Sequence, residues 1–276
     1  MNFLQFYRVD SWVRNLGVSV ISLMTLGIVP NNWTILIPIL HIALIQMHSF
    51  SMNDYYDYKI SREKNYISNL FKKNVSTRVI IFLSLLPLVF VLPTIKFSNY
   101  SFVFLFVYII SFYLYQSPIR LKNHYTSSII INSICLGLIP YIYPYLYFQD
   151  HLSFQAIQFS IIFFFYMAFH EIIHQLAHRK KEKINSLPRI FGVKKTIIFG
   201  IGFLFIPLTT SLILLFTDIK SNLIFLTTVF FCVYRIYKMK TFDEKTDFQK
   251  IKSSWHKFYS VYEGVIYLLF LIFYNY

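Results

Sequence analysis

A cluster of polar residues closes an apolar stretch of the sequence near residue 53. Asn53, Asp54 and Asp57 are spaced so that, on a helix, Asn53 and Asp57 lie on one face with Asp54 beside them. Two carboxylates this close repel each other unless a cation lies between them. Carboxylate and amide oxygens suit Mg²⁺, whose coordination is usually completed by water and substrate phosphates. The cluster therefore predicts a magnesium site.

A second polar stripe closes a later apolar stretch. His170, His174, His178 and Glu182 recur every fourth residue and therefore share one face of a helix. Ionisable groups near membrane depth usually face the interior of a helical bundle and mark a functional path. Histidine titrates near neutral pH, so His174 or His178 is a candidate base that removes a proton from an acceptor.

The same stretch spells HExxH at residues 170–174. In zinc proteases the two histidines of this motif bind zinc and the glutamate activates water. Only His178 or Glu263 offers a third ligand here, and a protease has no use for the cluster near residue 53. Zinc proteolysis through His170, Glu171 and His174 is therefore an alternative without its confirming context.

The composition indicates the environment in which these residues work. The chain has 276 residues, of which 56% are hydrophobic and 14% are charged, and a water-soluble globule cannot divide such a chain into an inside and an outside. Its 31 Phe and 22 Tyr exclude a disordered chain. Cys135 and Cys232 lie in apolar runs, so we expect small buried hydrophobes and no disulfide framework. The chain is predicted to be an integral membrane protein.

Apolar stretches of roughly 20 residues, the length that crosses a bilayer, recur along the whole chain. They predict an all-α, polytopic membrane protein that forms a single domain over residues 1–276. About nine spans are expected, near residues 13–29, 33–52, 78–94, 99–116, 126–147, 153–174, 195–215, 221–237 and 258–276.

The basic residues predict the orientation in the membrane. Of the 26 Lys and Arg, 24 fall on one side, and only Lys96 and Lys220 lie in the connections after spans three and seven. By the positive-inside rule, the N-terminus and both polar clusters are cytoplasmic, and Tyr276 is outside. Topology and anionic lipid head groups account for most of the net charge of +14. The expected partners are membrane lipids and not nucleic acid.

Four segments, in order along the chain, resemble motifs of the UbiA superfamily of intramembrane prenyltransferases, which are all-helical proteins of nine spans. Residues 53–61 (NDYYDYKIS) are similar to its NDxxDxxxD motif, and residues 174–182 (HQLAHRKKE) to its HQxxDxxxD motif. Residues 115–122 (YQSPIRLK) resemble YSxPPxRLK, and residues 186–195 (SLPRIFGVKK) resemble its TLPxxxG stretch. The resemblance implies a bundle with a central cavity that opens to the cytoplasm.

The sequence also departs from the family pattern. Ser61 and His178 stand where the family has aspartates, Glu182 replaces the last aspartate, and the Arg-Pro usual after the first motif is missing at residues 64–68. These changes remove negative charge from the metal site. Histidine is a poor ligand for Mg²⁺ and a good one for softer metals. The sequence therefore leaves open whether a second metal binds at His178 and Glu182, where a divalent ion other than Mg²⁺ is the alternative.

The resemblance implies a reaction in which an isoprenyl diphosphate loses diphosphate and the resulting allylic cation is captured by an electron-rich acceptor. Mg²⁺ and neighbouring Lys and Arg side chains would stabilise the leaving group electrostatically. The resemblance and proximity to the motifs assign the metal ligands Asn53, Asp54, Asp57, His178 and Glu182; the catalytic residues Asp54, Asp57, His174 and His178; the diphosphate-binding residues Arg62, Lys64, Lys122, Arg179 and Lys181; and two further site residues, Gln175 and Tyr115.

The acceptor stays open at this point. A quinone-ring precursor, a haem or chlorin, a glycerol ether, a sugar phosphate, an indole and water are all compatible with the sequence. Ser61 and His178 also leave open a family member that has lost catalysis and binds an isoprenoid or quinone.

Overall fold

A computed structural model of the chain describes residues 2–26, 33–95, 100–179, 185–217 and 222–255, with residues 265, 266 and 269. This part of the chain is helical and contains no extended strand, which confirms the predicted all-α class. The helices are α1 (Phe3–Phe6), α2 (Val9–Trp12), α3 (Leu16–Thr25), α4 (Leu36–Ser61), α5 (Tyr66–Lys72), α6 (Thr77–Val91), α7 (Ser101–Gln116), α8 (Tyr125–Ser133), α9 (Ile139–Phe148), α10 (Phe154–His178), α11 (Leu187–Thr217), α12 (Asn222–Met239) and α13 (Phe248–Ser254).

Several of these helices are long and apolar enough to cross a membrane. In the described ranges there are five such segments, and α3 and α7 are shorter apolar helices. Eight of the predicted spans coincide with described helices, whereas the ninth, near 258–276, falls almost entirely outside the described residues. The five segments are Trp33–Ser61, Thr77–Thr94, Tyr125–Phe148, Phe154–His178 and Leu187–Phe216.

Two helices extend beyond the predicted spans, because hydropathy detects the apolar part of a helix and not its polar extension. Helix α4 continues from the predicted end at residue 52 to Ser61, so the first polar cluster lies on the helix. Helix α11 begins at Leu187 instead of residue 195 and is interrupted at Gly192, where φ is 78° and ψ is 166°. Glycine adopts this backbone conformation without the penalty that a Cβ atom brings.

Helix α10 lies at the centre of the largest hydrophobic core and packs against α8 and α11. Between α8 and α9 the chain forms a single π-helical turn, Ile134–Leu138. A Cβ atom at Gly137 would lie 2.5 Å from the Phe163 carbonyl oxygen of α10, so only glycine permits this approach of the two backbones. The close packing brings the polar residues of α8 against α10.

Candidate active site

The first polar cluster occupies the last turns of α4. The Asn53 amide nitrogen donates to Asp57 Oδ2 at 2.9 Å, as expected for residues one helical turn apart. Asp54 and Asp57 are buried, with 5% and 7% of their surface exposed. Asn53 and Asp57 therefore share one face of a continuing helix, as predicted, and their role as metal ligands stays a prediction.

Asp57 is paired with two cations from the segment between α7 and α8. Arg120 Nη2 lies 3.0 Å from Asp57 Oδ1, and the Lys122 ammonium contacts the same oxygen. Lys122 Nζ also donates to Asn53 Oδ1 at 2.8 Å. Burial lowers the pKa of the Lys122 ammonium, while the Asp57 carboxylate acts in the opposite direction. Lys122, predicted from its motif, therefore lies in the site.

Arg120 uses only part of its hydrogen-bonding capacity. Its side chain is 8% exposed, and no described residue accepts a hydrogen bond from Nε or Nη1. A buried donor without an acceptor costs about 1–3 kcal/mol. Arg120 also adopts a left-handed backbone conformation, with φ of 49°. Strain and unused donors of this kind are typical of residues held for a ligand.

The N-terminal segment supplies a third cation. Arg8 Nη1 lies 3.0 Å from Asp54 Oδ1, and its guanidinium stands over the Phe50 ring at 5.3 Å. Tyr7, the preceding residue, is held in place by its hydroxyl, which donates to the Leu83 carbonyl at 2.6 Å. Three cations therefore face the two carboxylates of α4.

The turn after α4 folds back towards the same carboxylates. Arg62 ends the helix with a left-handed backbone, and the Glu63 amide donates to the Asp57 carbonyl at 3.3 Å. The Asn65 side-chain amide donates to the Asp54 carbonyl at 2.7 Å. Burial, and then repulsion from Asp57, raises the pKa of the Glu63 carboxyl. The turn thus adds an acid that the motif does not contain.

Two predicted diphosphate ligands follow α4, and both are exposed. The Arg62 guanidinium stands over the Tyr58 ring at 5.7 Å. Lys64 lies next to the turn, in the loop that precedes α5. The structure places neither of them against the carboxylates of Asp54 and Asp57 in the way that it places Arg120 and Lys122, so their role stays a prediction.

A cavity of about 600 Å³ opens between the N-terminal segment, α5 and the end of α4. Its walls are polar and carry charges of both signs, as a site for a metal ion and an anionic ligand requires. The lining residues are Gln5, Arg8, Asp10, Ser11, Asp54, Asp57, Glu63, Asn65, Tyr66 and Asn69.

Glu171 of the second cluster is fully engaged with neighbouring side chains. Its two carboxylate oxygens accept hydrogen bonds from the Ser128 hydroxyl at 2.6 Å and the Asn132 amide at 2.7 Å, both on α8. Gln175 donates to the same carboxylate at 3.4 Å and accepts from the Leu187 amide at 3.0 Å. Glu171 and the predicted site residue Gln175 therefore join α8, α10 and the start of α11.

Tyr115 connects the two polar clusters. Its hydroxyl accepts a hydrogen bond from the Asn132 amide at 3.0 Å, and the same amide donates to Glu171. Tyr115 also lies within electrostatic range of both Glu171 and Asp57. Tyr115 and Asn132 therefore link Glu171 of α10 to the surroundings of Asp57 on α4, and a single site lined by both motifs stays a prediction.

Two histidines near the end of α10, His174 and His178, contact each other. The rings of His174 and His178 stack with centroids 4.5 Å apart, and Lys252 Nζ lies 3.0 Å from His178 Nε2. Arg179, predicted to bind diphosphate, donates to the Glu244 carbonyl at 2.8 Å and thereby fastens the α12–α13 loop. Lys181 and Glu182 lie outside the described residues.

The geometry gives no support to a zinc protease. Within the described ranges, no three His, Cys, Asp or Glu residues come together as metal ligands. Glu171, which would have to activate water, instead accepts hydrogen bonds on both oxygens from Ser128 and Asn132. Glu263, the other predicted third ligand, lies outside the described residues.

We expect a Glu171→Gln substitution to lower the free energy of unfolding by about 1–3 kcal/mol. The amide nitrogen of glutamine is itself a donor, so it would face either Ser128 or Asn132, whose hydrogen bond the carboxylate now accepts. Thermal unfolding in detergent measures this effect, and Ser128→Ala should produce a smaller loss. Metal analysis of the purified protein is the complementary measurement. Stoichiometric zinc that is lost in His170→Ala would contradict the structural role of Glu171 and support the zinc-protease alternative.

The donor chemistry of the first cluster fits Mg²⁺. Asn53, Asp54 and Asp57 offer hard oxygen ligands beside a polar cavity. Mg²⁺ is usually held by one or two carboxylates together with substrate phosphates, and it does not require a cage of protein ligands.

Comparison with known protein sequences identifies the family. A sequence profile of the UbiA prenyltransferase family matches residues 16–261. The chain belongs to the UbiA prenyltransferase family. The resemblance carried by the four motifs is thereby confirmed. A search of curated protein sequences found no match to this family member.

Solved structures support the same fold over the whole chain. A UbiA homologue from Archaeoglobus fulgidus bound to DMAPP and Mg²⁺ has a TM-score of 0.77 and 18% identity, covering 100% of this chain and 98% of the homologue. The form bound to GPP and Mg²⁺ has a TM-score of 0.78 and 17% identity, with the same coverage. A structure of digeranylgeranylglyceryl phosphate synthase has a TM-score of 0.74 and 16% identity, covering 99% of this chain and 97% of the synthase chain.

Several residues that build the site of this UbiA family member were not predicted from the sequence. Arg120 lies inside the YQSPIRLK segment, so the motif contained a signal for it. Arg8 is 46 positions from its partner Asp54 and carries no motif. Lys252 likewise meets His178 from 74 positions away. Only the packing of distant segments reveals such partners.

Proposed function

We propose that this UbiA family member transfers an isoprenyl chain from a prenyl diphosphate to a lipophilic acceptor, with Mg²⁺ at Asn53, Asp54 and Asp57. The proposal depends chiefly on Arg120, whose buried Nε and Nη1 groups have no acceptor among the described residues and lie beside Asp57. A guanidinium presents its donors as a planar fork that matches phosphate oxygens.

Charge supports a diphosphate ligand in this position. Arg8, Arg120 and Lys122 face the carboxylates of Asp54 and Asp57, so protein cations already surround the proposed leaving group. When Mg²⁺ is bound, it neutralises charge on the phosphate oxygens. The cations of this chain then hold the diphosphate and stabilise the negative charge that develops on its bridging oxygen as the carbon–oxygen bond breaks.

In this proposal the acceptor binds beside the second polar stripe, on α10. His174 lies on α10 about one turn after Glu171, whose carboxylate is linked through Asn132 to Tyr115. A neutral imidazole there would take the proton that the acceptor releases after it captures the allylic cation. Since Lys252 lies against Nε2 of His178, we favour His174 over His178 for this role.

The protein is a multi-pass membrane protein, and we propose the orientation in which both motifs face the cytoplasm. The ends of α4 and α10 that carry the motifs are followed by connections rich in Lys and Arg. Such connections stay on the cytoplasmic side in most membrane proteins. The donor, which is anionic, would then enter from the cytoplasm and its apolar tail would lie among the helices.

Removal of the metal tests this function. The purified protein in detergent, supplied with geranyl diphosphate and a membrane lipid extract as the acceptor source, should release diphosphate in the presence of Mg²⁺. Chelation with EDTA should slow release at least about 100-fold, since a bound metal supplies several kcal/mol of charge stabilisation. Added Mg²⁺ should restore the rate, and release that is unaffected by EDTA would contradict the metal assignment.

A second candidate is a family member that binds the isoprenoid without turnover. The ion pairs of Asp54 with Arg8, and of Asp57 with Arg120 and Lys122, favour this candidate because they occupy oxygens that a metal needs. It predicts saturable, metal-independent binding of geranyl diphosphate and no release of diphosphate with any acceptor. Turnover in the assay above would exclude it.

A further inference from the structure

Helix α13 places a lysine against the second motif. Lys252 Nζ lies 3.0 Å from His178 Nε2, and the His178 ring stacks on His174. An ammonium group has only donors, so the electron pair of Nε2 points to Lys252. A metal ion would need the same electron pair. At the position where the family has an aspartate, this chain therefore presents a cation.

The packing of α13 fixes the position of Lys252. Gln249 donates to the Ala177 carbonyl of α10 at 2.7 Å. Phe248 is 2% exposed, and the Arg179 guanidinium stands over its ring at 4.8 Å. These contacts join the first turn of α13 to the last turn of α10. Lys252, in the second turn of α13, is thereby held beside the motif.

Lys252 is also linked electrostatically to Glu171, which lies two turns before His178 on α10. Glu171 is linked through Asn132 to Tyr115, which lies within electrostatic range of Asp57. A chain of polar side chains therefore connects the surroundings of Lys252 with those of Asp57, where the magnesium site is proposed.

We infer that Lys252 supplies the positive charge that a second metal ion would supply at the second motif, and that it binds the diphosphate of the prenyl donor together with a single Mg²⁺ at Asp54 and Asp57. This inference rests on the proposed function. His178 positions the ammonium by accepting its hydrogen bond. The loss of an acid at residue 178 and the presence of a lysine beside it then form one compensating pair.

The number of bound metal ions tests the inference without measuring activity. Mn²⁺, counted by electron paramagnetic resonance, serves as the metal probe, and geranyl S-thiolodiphosphate, which resists ionisation, serves as the donor analogue. We expect one Mn²⁺ per protein when the analogue is bound. Lys252→Met should weaken binding of the analogue about tenfold or more, because a charge-assisted contact is lost. Lys250→Met, at an exposed lysine of the same helix, should leave the affinity unchanged.

A charge-restoring variant separates this inference from a purely structural role of Lys252. The double variant His178→Asp with Lys252→Ala should bind two Mn²⁺ ions and recover affinity for the analogue, whereas a helix that had merely lost packing would recover neither. Two Mn²⁺ in the unaltered protein, unchanged affinity in Lys252→Met, or one Mn²⁺ in the double variant would each overturn the inference. If the unaltered protein does not bind the analogue at all, the proposed function fails instead.

Discussion

Asp57→Ala is expected to abolish diphosphate release and also to destabilise the fold, whereas Asp54→Ala is expected to abolish release with little loss of stability. Both substitutions remove a proposed ligand of Mg²⁺. They differ in the cations that they leave behind. Asp57 is the buried partner of Arg120 and Lys122, whose side chains are 8% and 12% exposed. Asp54 is paired with Arg8, whose side chain is 37% exposed and can turn into the solvent.

The expected magnitudes follow from this difference in burial. Removing one partner from a buried ion pair costs about 3–5 kcal/mol, because the remaining charge is neither hydrated nor neutralised. Loss of a solvent-screened pair costs about 1 kcal/mol or less. The melting temperature in detergent should therefore fall clearly in Asp57→Ala and slightly in Asp54→Ala.

Asp150→Ala, at an exposed acid in the loop before α10, is the matched control and should change neither diphosphate release nor the melting temperature. Diphosphate release is measured on the folded fraction of each variant, so that loss of fold is not mistaken for loss of chemistry. Substantial release by both Asp54→Ala and Asp57→Ala would contradict the metal site at the end of α4. Equal melting temperatures for the two variants would contradict the buried pairing of Asp57.

Arg120→Met is expected to reduce the affinity for geranyl diphosphate about 100-fold and to lower the melting temperature less than Asp57→Ala does. The loss of affinity follows because two or more charge-assisted hydrogen bonds to phosphate disappear, each contributing about 1.5–3 kcal/mol. The loss of stability should be smaller than in Asp57→Ala, because Lys122 still pairs with the Asp57 carboxylate. The substitution also removes the buried Nε and Nη1 groups, from which no described residue accepts a hydrogen bond.

Titration of binding by calorimetry and thermal unfolding in detergent measure the two effects of Arg120→Met. Arg120→Lys keeps the charge but loses the planar fork, so its affinity should lie between that of the unaltered protein and that of Arg120→Met. Arg78→Met, at an exposed arginine of α6, should bind as tightly as the unaltered protein. If Arg120→Met instead unfolds and the folded remainder binds normally, Arg120 has a structural role only.

The sequence predicts those features that depend on composition or on residues close together along the chain. The excess of apolar residues over charged ones determines a membrane environment, and the spacing of Asn53 and Asp57 determines that they share a helical face. The limits of this approach appear at α4 and α11, whose polar extensions hydropathy does not register. Arg62 and Lys64 were chosen by closeness along the chain, and both are exposed in the folded protein.

Apolar composition, helical spacing and the four motifs were thus sufficient to predict the all-helical membrane class, the family and the two helix ends that carry the motifs. Helix packing, in contrast, sets which cations meet the carboxylates. Arg8, Arg120 and Lys252 each lie far along the chain from the residue that they contact. Contacts between distant residues depend on how the helices pack, and the spacing of residues in the sequence does not predict that packing. The tertiary structure also showed that Glu171 accepts hydrogen bonds from α8, so the same HExxH letters that suggest a protease belong to a network between helices.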